Sequence, residues 1–238
     1  MIEINGLTKC YKNRIAVNEL SLKIDDGEIF GLLGLNGAGK TTTIKMLSGI
    51  AEPTKGSATV YGHALSDVEG LKSVIGISPQ ESAVSPVLTV KENLVFVATL
   101  YGFDNKDAKI RAENLMRKFD LIDRAKDKAK SLSGGLCRRL SIAMALISEP
   151  KVLFLDEPTL GLDILSRREL WSIIKSLKKE MTVVLTTHYL EETEALCDKI
   201  AIMRDGKLVA VGTSDELIKL SGKENFEEAF IKLSGESA

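Results

Sequence analysis

Residues 34–41 read Gly-Leu-Asn-Gly-Ala-Gly-Lys-Thr. That spacing, G-x-x-x-x-G-K-[ST], is what a phosphate-binding loop requires. Glycines let backbone N–H groups turn inward around an anion, and the N-terminus of the following helix adds its positive dipole end. Lys40 would supply a point charge to β- and γ-phosphates, and Thr41 a hydroxyl to Mg²⁺. Asn36, Gly37, Ala38, Gly39 and Thr42 complete the stretch around the anion. With glycine at about 7% of residues, an accidental match in a chain this long is on the order of one in a hundred. Two further stretches could do chemistry with the loop. Asp156 and Glu157 end the apolar run 152–155, and a carboxylate at a strand tip beside such a loop can hold Mg²⁺, usually through water. Neighbours at a strand end point differently, so Glu157 can face the attacking water as a general base, a role worth about 10²–10⁴-fold in rate. Without the loop upstream, the pair reads as two solvated acids opening a turn before Pro158. Ser133-Gly134-Gly135 is either a second anion-binding turn, with Ser133 as N-cap and glycines that admit a phosphate to the backbone, or an ordinary capped helix.

These residues need a strand before the loop, a helix after it, and further strands that bring the acids alongside. The run 29–33 reads as a buried strand, and residues 42–47 are helix formers ending near Ser48-Gly49. Residues 2–7, 20–24 and 57–61 read as strands, punctuated by turn signals at Asn18-Glu19, at Asp25-Asp26-Gly27 and at 53–56. Residues 74–77 form a buried run that ends at Ser78-Pro79-Gln80. From 90 to about 129 the apolar spacing becomes helical, which predicts an inserted helical layer with no linker isolating it. A helix then follows Gly134-Gly135 to about residue 147. Next come a short buried strand at 151–156, an amphipathic helix from 164 to about 178, a strand at 183–185 and a helix at 190–196. Asp205-Gly206 between two apolar runs signals a hairpin, and two short helices, 214–220 and 226–233, close the chain. Strands alternating with helices after a phosphate loop predict an α/β fold, with a mostly parallel sheet covered on both faces and the ligand at the carboxyl ends of its strands.

Composition narrows the partners. A net charge of −1 gives no case for nucleic acid, and an aromatic content of 5% argues against stacking platforms for single strands. The 3 cysteines, Cys10, Cys137 and Cys197, have no metal-like spacing and read as reduced thiols in a cytosolic protein. No apolar run approaches the ~18 residues of a membrane span, and residues 1–5 lack the basic and apolar regions of a signal peptide. Any membrane role would come through a partner.

The order of GLNGAGKT, Gln80, LSGG, VLFLDEP, GLD at 161–163 and His188 resembles the ATP-binding cassette family across essentially the whole chain. The resemblance implies a P-loop NTPase with a mostly parallel sheet, an N-terminal antiparallel β subdomain and an inserted helical subdomain. It implies one cassette over 1–238, with the helical subdomain at about 82–148 and a helical tail at about 213–238. Gln80 would sense Mg²⁺ and the attacking water, so Thr41, Gln80 and Asp156 form the metal set. Ser133, Gly134 and Gly135 would contact the γ-phosphate of an ATP held by the opposite subunit, and Asp163 would lie at the seam. His188 would contact the γ-phosphate and support the Glu157 water, and Tyr11 matches the adenine-stacking aromatic. Taken singly, Gln80 is a turn residue, Tyr11 a core-edge aromatic and His188 a capping histidine. The family usually places Gln after LSGG; this chain has Leu136. The segments 88–102, 186–208 and 226–235 are similar to bacterial ATPases that power drug, antibiotic, lipid or polysaccharide export. This implies an ATP-hydrolysing subunit that dimerises with itself or a paired cassette. It would drive separate integral permease subunits and sit on the cytoplasmic face of the membrane through them. The alternative is a soluble cassette ATPase without a membrane partner. A DNA-repair cassette would need a long coiled coil within 42–130, where no heptads are sustained. A translation-type protein would carry a second cassette, a non-hydrolysing module would lack Glu157 or His188, and a small-molecule kinase would lack LSGG.

Overall fold

The structure is a computed structural model that describes residues 1–178 and 180–235, so the last three residues of the 213–238 tail lie outside it. In chain order the strands and helices are β1 (Ile2–Tyr11), β2 (Arg14–Ile24), β3 (Ile29–Leu33), α1 (Lys40–Leu47), β4 (Lys55–Val60), β5 (His63–Ala64), α2 (Val68–Val74) and β6 (Ile75–Ser78). Then come α3 (Val90–Leu100), α4 (Asn105–Lys118), α5 (Gly134–Ala145), β7 (Val152–Asp156), α6 (Ile164–Leu177) and β8 (Thr182–Thr187). The chain continues through α7 (Leu190–Leu196), β9 (Lys199–Arg204), β10 (Lys207–Gly212), α8 (Ser214–Ser221) and α9 (Phe226–Ser234).

A six-stranded sheet in the order β10-β9-β3-β8-β7-β6 forms the centre; every pairing is parallel except the β9–β10 hairpin. All residues of β3, β7 and β8 are buried, as expected of parallel strands covered on both faces. Their period of two sorts the side chains. Phe30, Leu32, Val152, Phe154 and Val184 pack with α1 and the N-terminal strands, whereas Leu153, Leu155, Val183 and Leu185 pack with the helical layer of α3 to α6. A second, antiparallel sheet in the order β2-β1-β4-β5 covers the first face. The helical layer is capped by local chemistry: Thr89 Oγ1 accepts from Glu92 N at 3.1 Å while Glu92 Oε2 accepts from Thr89 N at 2.7 Å, starting α3 with a capping box. Asp104 caps α4 with its side chain alone, accepting from Lys106 N and Asp107 N. The tail helices α8 and α9 pack Leu217, Phe226 and Phe230 on Leu33, Ile200 and Ile202.

One turn expectation fails. Asn18-Glu19 lies inside β2, and the β1–β2 turn is at Lys12-Asn13. Glu19 takes a left-handed conformation (φ +51°) as a bulge, and its N–H is satisfied by Thr8 Oγ1 at 3.0 Å. The polar pair therefore kinks the ladder rather than ending it. β1 consequently runs on to Tyr11. Helix α2 was not expected from the sequence; Asp67 caps it through Gly70 N at 3.0 Å.

Candidate nucleotide-binding site

The loop 34–39 joins the carboxyl end of β3 to the first turn of α1, which begins at Lys40 itself. Gly39 has φ +102°, and a Cβ there would sit 2.5 Å from Ala16 O, so only glycine lets the loop close against β2. From behind, Gly206 N donates to Ala38 O at 3.1 Å, and Asn18 N donates to Gly206 O at 2.8 Å. The β9–β10 turn therefore braces the loop, a role that its hairpin signal alone did not convey.

Lys40 is 5% exposed; its Nζ donates to Gly34 O at 2.7 Å and Leu35 O at 3.2 Å and lies 3.5 Å from Glu157 Oε1. Burial pulls its pKa below the ordinary lysine value, opposed by Glu157 and then Asp156. The two acids diverge at the end of β7. Asp156 Oδ1 accepts from Thr41 Oγ1 at 2.9 Å and from Thr186 Oγ1 at 2.5 Å. Glu157 turns into a left-handed conformation (φ +48°), at a cost on the order of 1–3 kcal/mol. Its N–H is held by Thr186 Oγ1 at 3.0 Å, and its Oε2 lies 2.9 Å from His188 Nδ1. The Glu157 carboxylate therefore sits between Lys40 and His188, while Asp156 takes Thr41.

A cleft of about 520 Å³ is lined by Tyr11, Arg14, Ala16, the loop residues 36–42, Gln80, Glu157, Leu160 and His188. That volume suits a nucleotide-sized ligand. Tyr11, 47% exposed, presents its ring at the wall, with Lys9 Nζ 5.1 Å from the ring centroid. The cleft thus gathers Tyr11, Asn36, Gly37, Ala38, Gly39, Lys40, Thr41, Thr42, Gln80, Glu157 and His188, with Asp156 bonded to Thr41 just beneath. Ser133, Gly134 and Gly135 are not among its lining residues. Ser133 caps α5 through Leu136 N at 3.3 Å, while Gly134 and Gly135 face Leu162 and Ser166.

Three residues that sequence reading passed over belong here. Arg14 enters the cleft from the β1–β2 hairpin, and nothing in its local sequence announces that. Thr186 holds both acids from the neighbouring strand. Arg138, buried on α5, donates to Pro79 O at 2.5 Å, Asp156 O at 2.7 Å and Pro158 O at 3.0 Å. It binds the turn before Gln80, the strand end of Asp156 and the loop after Glu157 into one unit. The adjacent pair Arg138-Arg139 on a largely buried helix was the available signal.

A phosphate cradle at the carboxyl end of a parallel sheet, with a buried lysine and two divergent carboxylates, defines a P-loop ATPase. The ABC transporter family pattern matches residues 17–160, and the chain belongs to that family. It is 42% identical over 224 residues to the linearmycin resistance ATP-binding protein LnrL of Bacillus subtilis, covering 93% of this chain and 72% of that one. It is 40% identical to the doxorubicin resistance ATP-binding protein DrrA of Mycobacterium tuberculosis, covering 93% and 68%. The human phospholipid-transporting ATPase ABCA3 is 41% identical, but the chain spans only 13% of it. Among solved structures, an ATP-binding subunit of an ABC transporter superposes with a TM-score of 0.87 at 31% identity, over 98% of this chain and 99% of that one. A dimeric ATP-binding cassette in a post-hydrolysis state with ADP and Pi gives 0.81 at 25%, over 90% and 98%. The protein is an ATP-binding, ATP-hydrolysing cassette.

Proposed function

We propose that the chain is the motor subunit of an exporter: ATP closes two cassettes on each other, hydrolysis releases them, and separate membrane subunits are driven by the cycle. The observation that carries the reading is the separation of Ser133, Gly134 and Gly135 from the cleft that holds every other nucleotide-site candidate. An anion-binding turn outside the site is explained if it completes the site of a second cassette. Cassettes of this family pair with membrane subunits, and among the described residues no helix is long and apolar enough to cross a membrane. Export rather than import follows from likeness to LnrL and DrrA. Similar identity to a phospholipid transporter leaves drug-like and lipid substrates as one amphipathic class.

Within the site, Lys40 and the loop N–H groups bind the β- and γ-phosphates, and Tyr11 stacks the base. The donor set fits Mg²⁺, because Thr41, Asp156 and Gln80 offer hard oxygen ligands and Thr41 lies against Asp156 at 2.9 Å. Bound there, the ion would neutralise phosphate charge and polarise the γ-phosphoryl group. Glu157 then orients and deprotonates the attacking water, while His188 holds the carboxylate in place through Nδ1. Replacing Tyr11 by alanine should weaken ATP and GTP binding alike, since every base has a π-face. Titration with fluorescent nucleotides checks this; a selective loss of one base would mean edge recognition instead.

The cassette acts as one unit over 1–238, and the helical unit at about 82–148, continuous with Gln80, meets the membrane subunit. Phe96, Leu100 and Tyr101 of α3 and its end are 53%, 69% and 48% exposed and lie on neighbouring turns. Phe96→Asp with Leu100→Asp should abolish transport and co-purification with the integral membrane protein, while basal ATPase stays near wild type. Loss of ATPase in step with transport would count against docking there. A cassette that copurifies with no integral protein from membranes would favour a soluble ATPase.

A further inference from the structure

Glu192 of α7 is fully buried, four residues after His188, and no step above uses it. Its Oε1 accepts from Thr159 Oγ1 at 2.9 Å and from Trp171 Nε1 at 3.1 Å. Its Oε2 is buried with no partner at hydrogen-bond distance among the described residues, and only the nearby Thr187 hydroxyl helps to offset its burial. A buried carboxylate with one oxygen unsatisfied is costly, and burial raises its pKa against the opposing hydrogen bonds of its neighbours. A group that expensive persists where its geometry is needed.

The two partners sit at informative places. Thr159, itself fully buried, follows Glu157 and Pro158 and starts the loop that runs to Asp163. Trp171 lies on α6, the helix that Asp163 caps through Leu165 N and Ser166 N. Leu160, Ile164 and Leu165 on this loop and helix start are 42%, 66% and 72% exposed. One carboxylate oxygen therefore joins the chain just after Glu157, the helix beyond the exposed loop, and the helix just after His188. We infer that Glu192 is a positioning residue for the Glu157–His188 pair, fixing the loop that follows Glu157 to the helix that follows His188. The pair stands just past the paired ends of β7 and β8, where its side chains meet at 2.9 Å, and Glu192 ties the segments beyond that pairing together a few residues further on. Displacement of the exposed loop would then be felt at His188 through a buried link.

The inference rests on Glu157 and His188 acting in hydrolysis, so Glu157→Gln is assayed alongside: if it hydrolyses ATP like wild type, the site reading fails and this inference with it. With that control inactive, Glu192→Ala should lower kcat at least about tenfold while KM and fluorescent-nucleotide affinity stay near wild type, as expected of a misplaced catalytic pair rather than a damaged binding site. Glu192→Gln retains an acceptor for both donors and should recover most of kcat. Thr159→Val removes one bond at nearly constant volume and should lower kcat by a smaller factor. In the Glu192→Ala background it should add little, because the link is already broken. A folded Glu192→Ala protein with wild-type kcat, a loss matched by the loss of ATP affinity, or full additivity with Thr159→Val would each overturn the proposal. If Glu192→Ala does not fold, Thr159→Val decides, and wild-type kcat in that variant overturns it.

Discussion

Lys40→Ala should abolish ATP hydrolysis and weaken ATP binding by roughly ten- to a hundredfold, the range expected when a charged hydrogen-bonding partner of a phosphate is lost. The Lys40 ammonium is almost entirely withdrawn from water and rests on two loop carbonyls, with Glu157 as its nearest counter-charge. Burial lowers its pKa, so phosphate binding demands little further desolvation of the ammonium. Hydrolysis suffers more than binding, by at least about a hundredfold, because charge on the transferring group is stabilised by donors already in place. The lowered pKa also sets a pH dependence. Bound phosphates raise it, so ATP affinity is full at pH values below the pKa of Lys40 in the free protein and falls as pH rises through it. Titration calorimetry in buffers of different ionisation enthalpy reads the accompanying proton uptake. Removing Lys40 leaves the Glu157 carboxylate buried with His188 alone, so the thermal midpoint of the apo variant has to be measured as well. A folded Lys40→Ala protein that binds ATP like wild type would overturn the assignment of the loop.

What could be read from sequence follows from how local each signal is. The loop, its strand and its helix occupy consecutive residues, and the strand 29–33 has the bounds expected of it because a short apolar run beside a glycine-rich turn leaves few alternatives. The β9–β10 hairpin was legible for the same reason. Asn18-Glu19 misled because a polar pair marks a turn and a bulge equally, and only pairing with β1 distinguishes them. The residues that assemble the site from afar were hidden. Thr186 and Arg138 meet Asp156 across distances of 30 and 18 residues, through hydrogen bonds that no periodicity encodes. Glu192 reads in sequence as one acid among several on a helix, and only its burial against Thr159 and Trp171 makes it unusual. Motifs name the groups that face the ligand; the groups that hold them still are chosen by tertiary contact.

The second large effect distinguishes a site within one chain from a site shared by two. Lys40→Ala spoils the phosphate loop, and Ser133→Arg places a bulky cation on the turn at the start of α5. Each variant alone should be inactive. The cleft that contains Lys40 is not lined by Ser133, so under the proposed function these lesions act on different ATP molecules in a dimer. In a mixed dimer one site then carries both lesions and the other carries neither, and mixing the two inactive proteins should restore part of the ATPase activity. If each chain used its own Ser133 turn, every site would carry one lesion and mixing would restore nothing. Leu136, where the family usually has glutamine, does not alter the logic, because the contacts expected there come from the Ser133 hydroxyl and the glycine backbone. Strong coupling between sites could mask recovery in steady state, so single-turnover hydrolysis is measured on mixtures whose mixed dimers are verified by mass. A Glu157→Gln background, which should bind ATP without consuming it, should show the dimer directly on size exclusion. Confirmed mixed dimers that remain inactive in single turnover would refute the shared site.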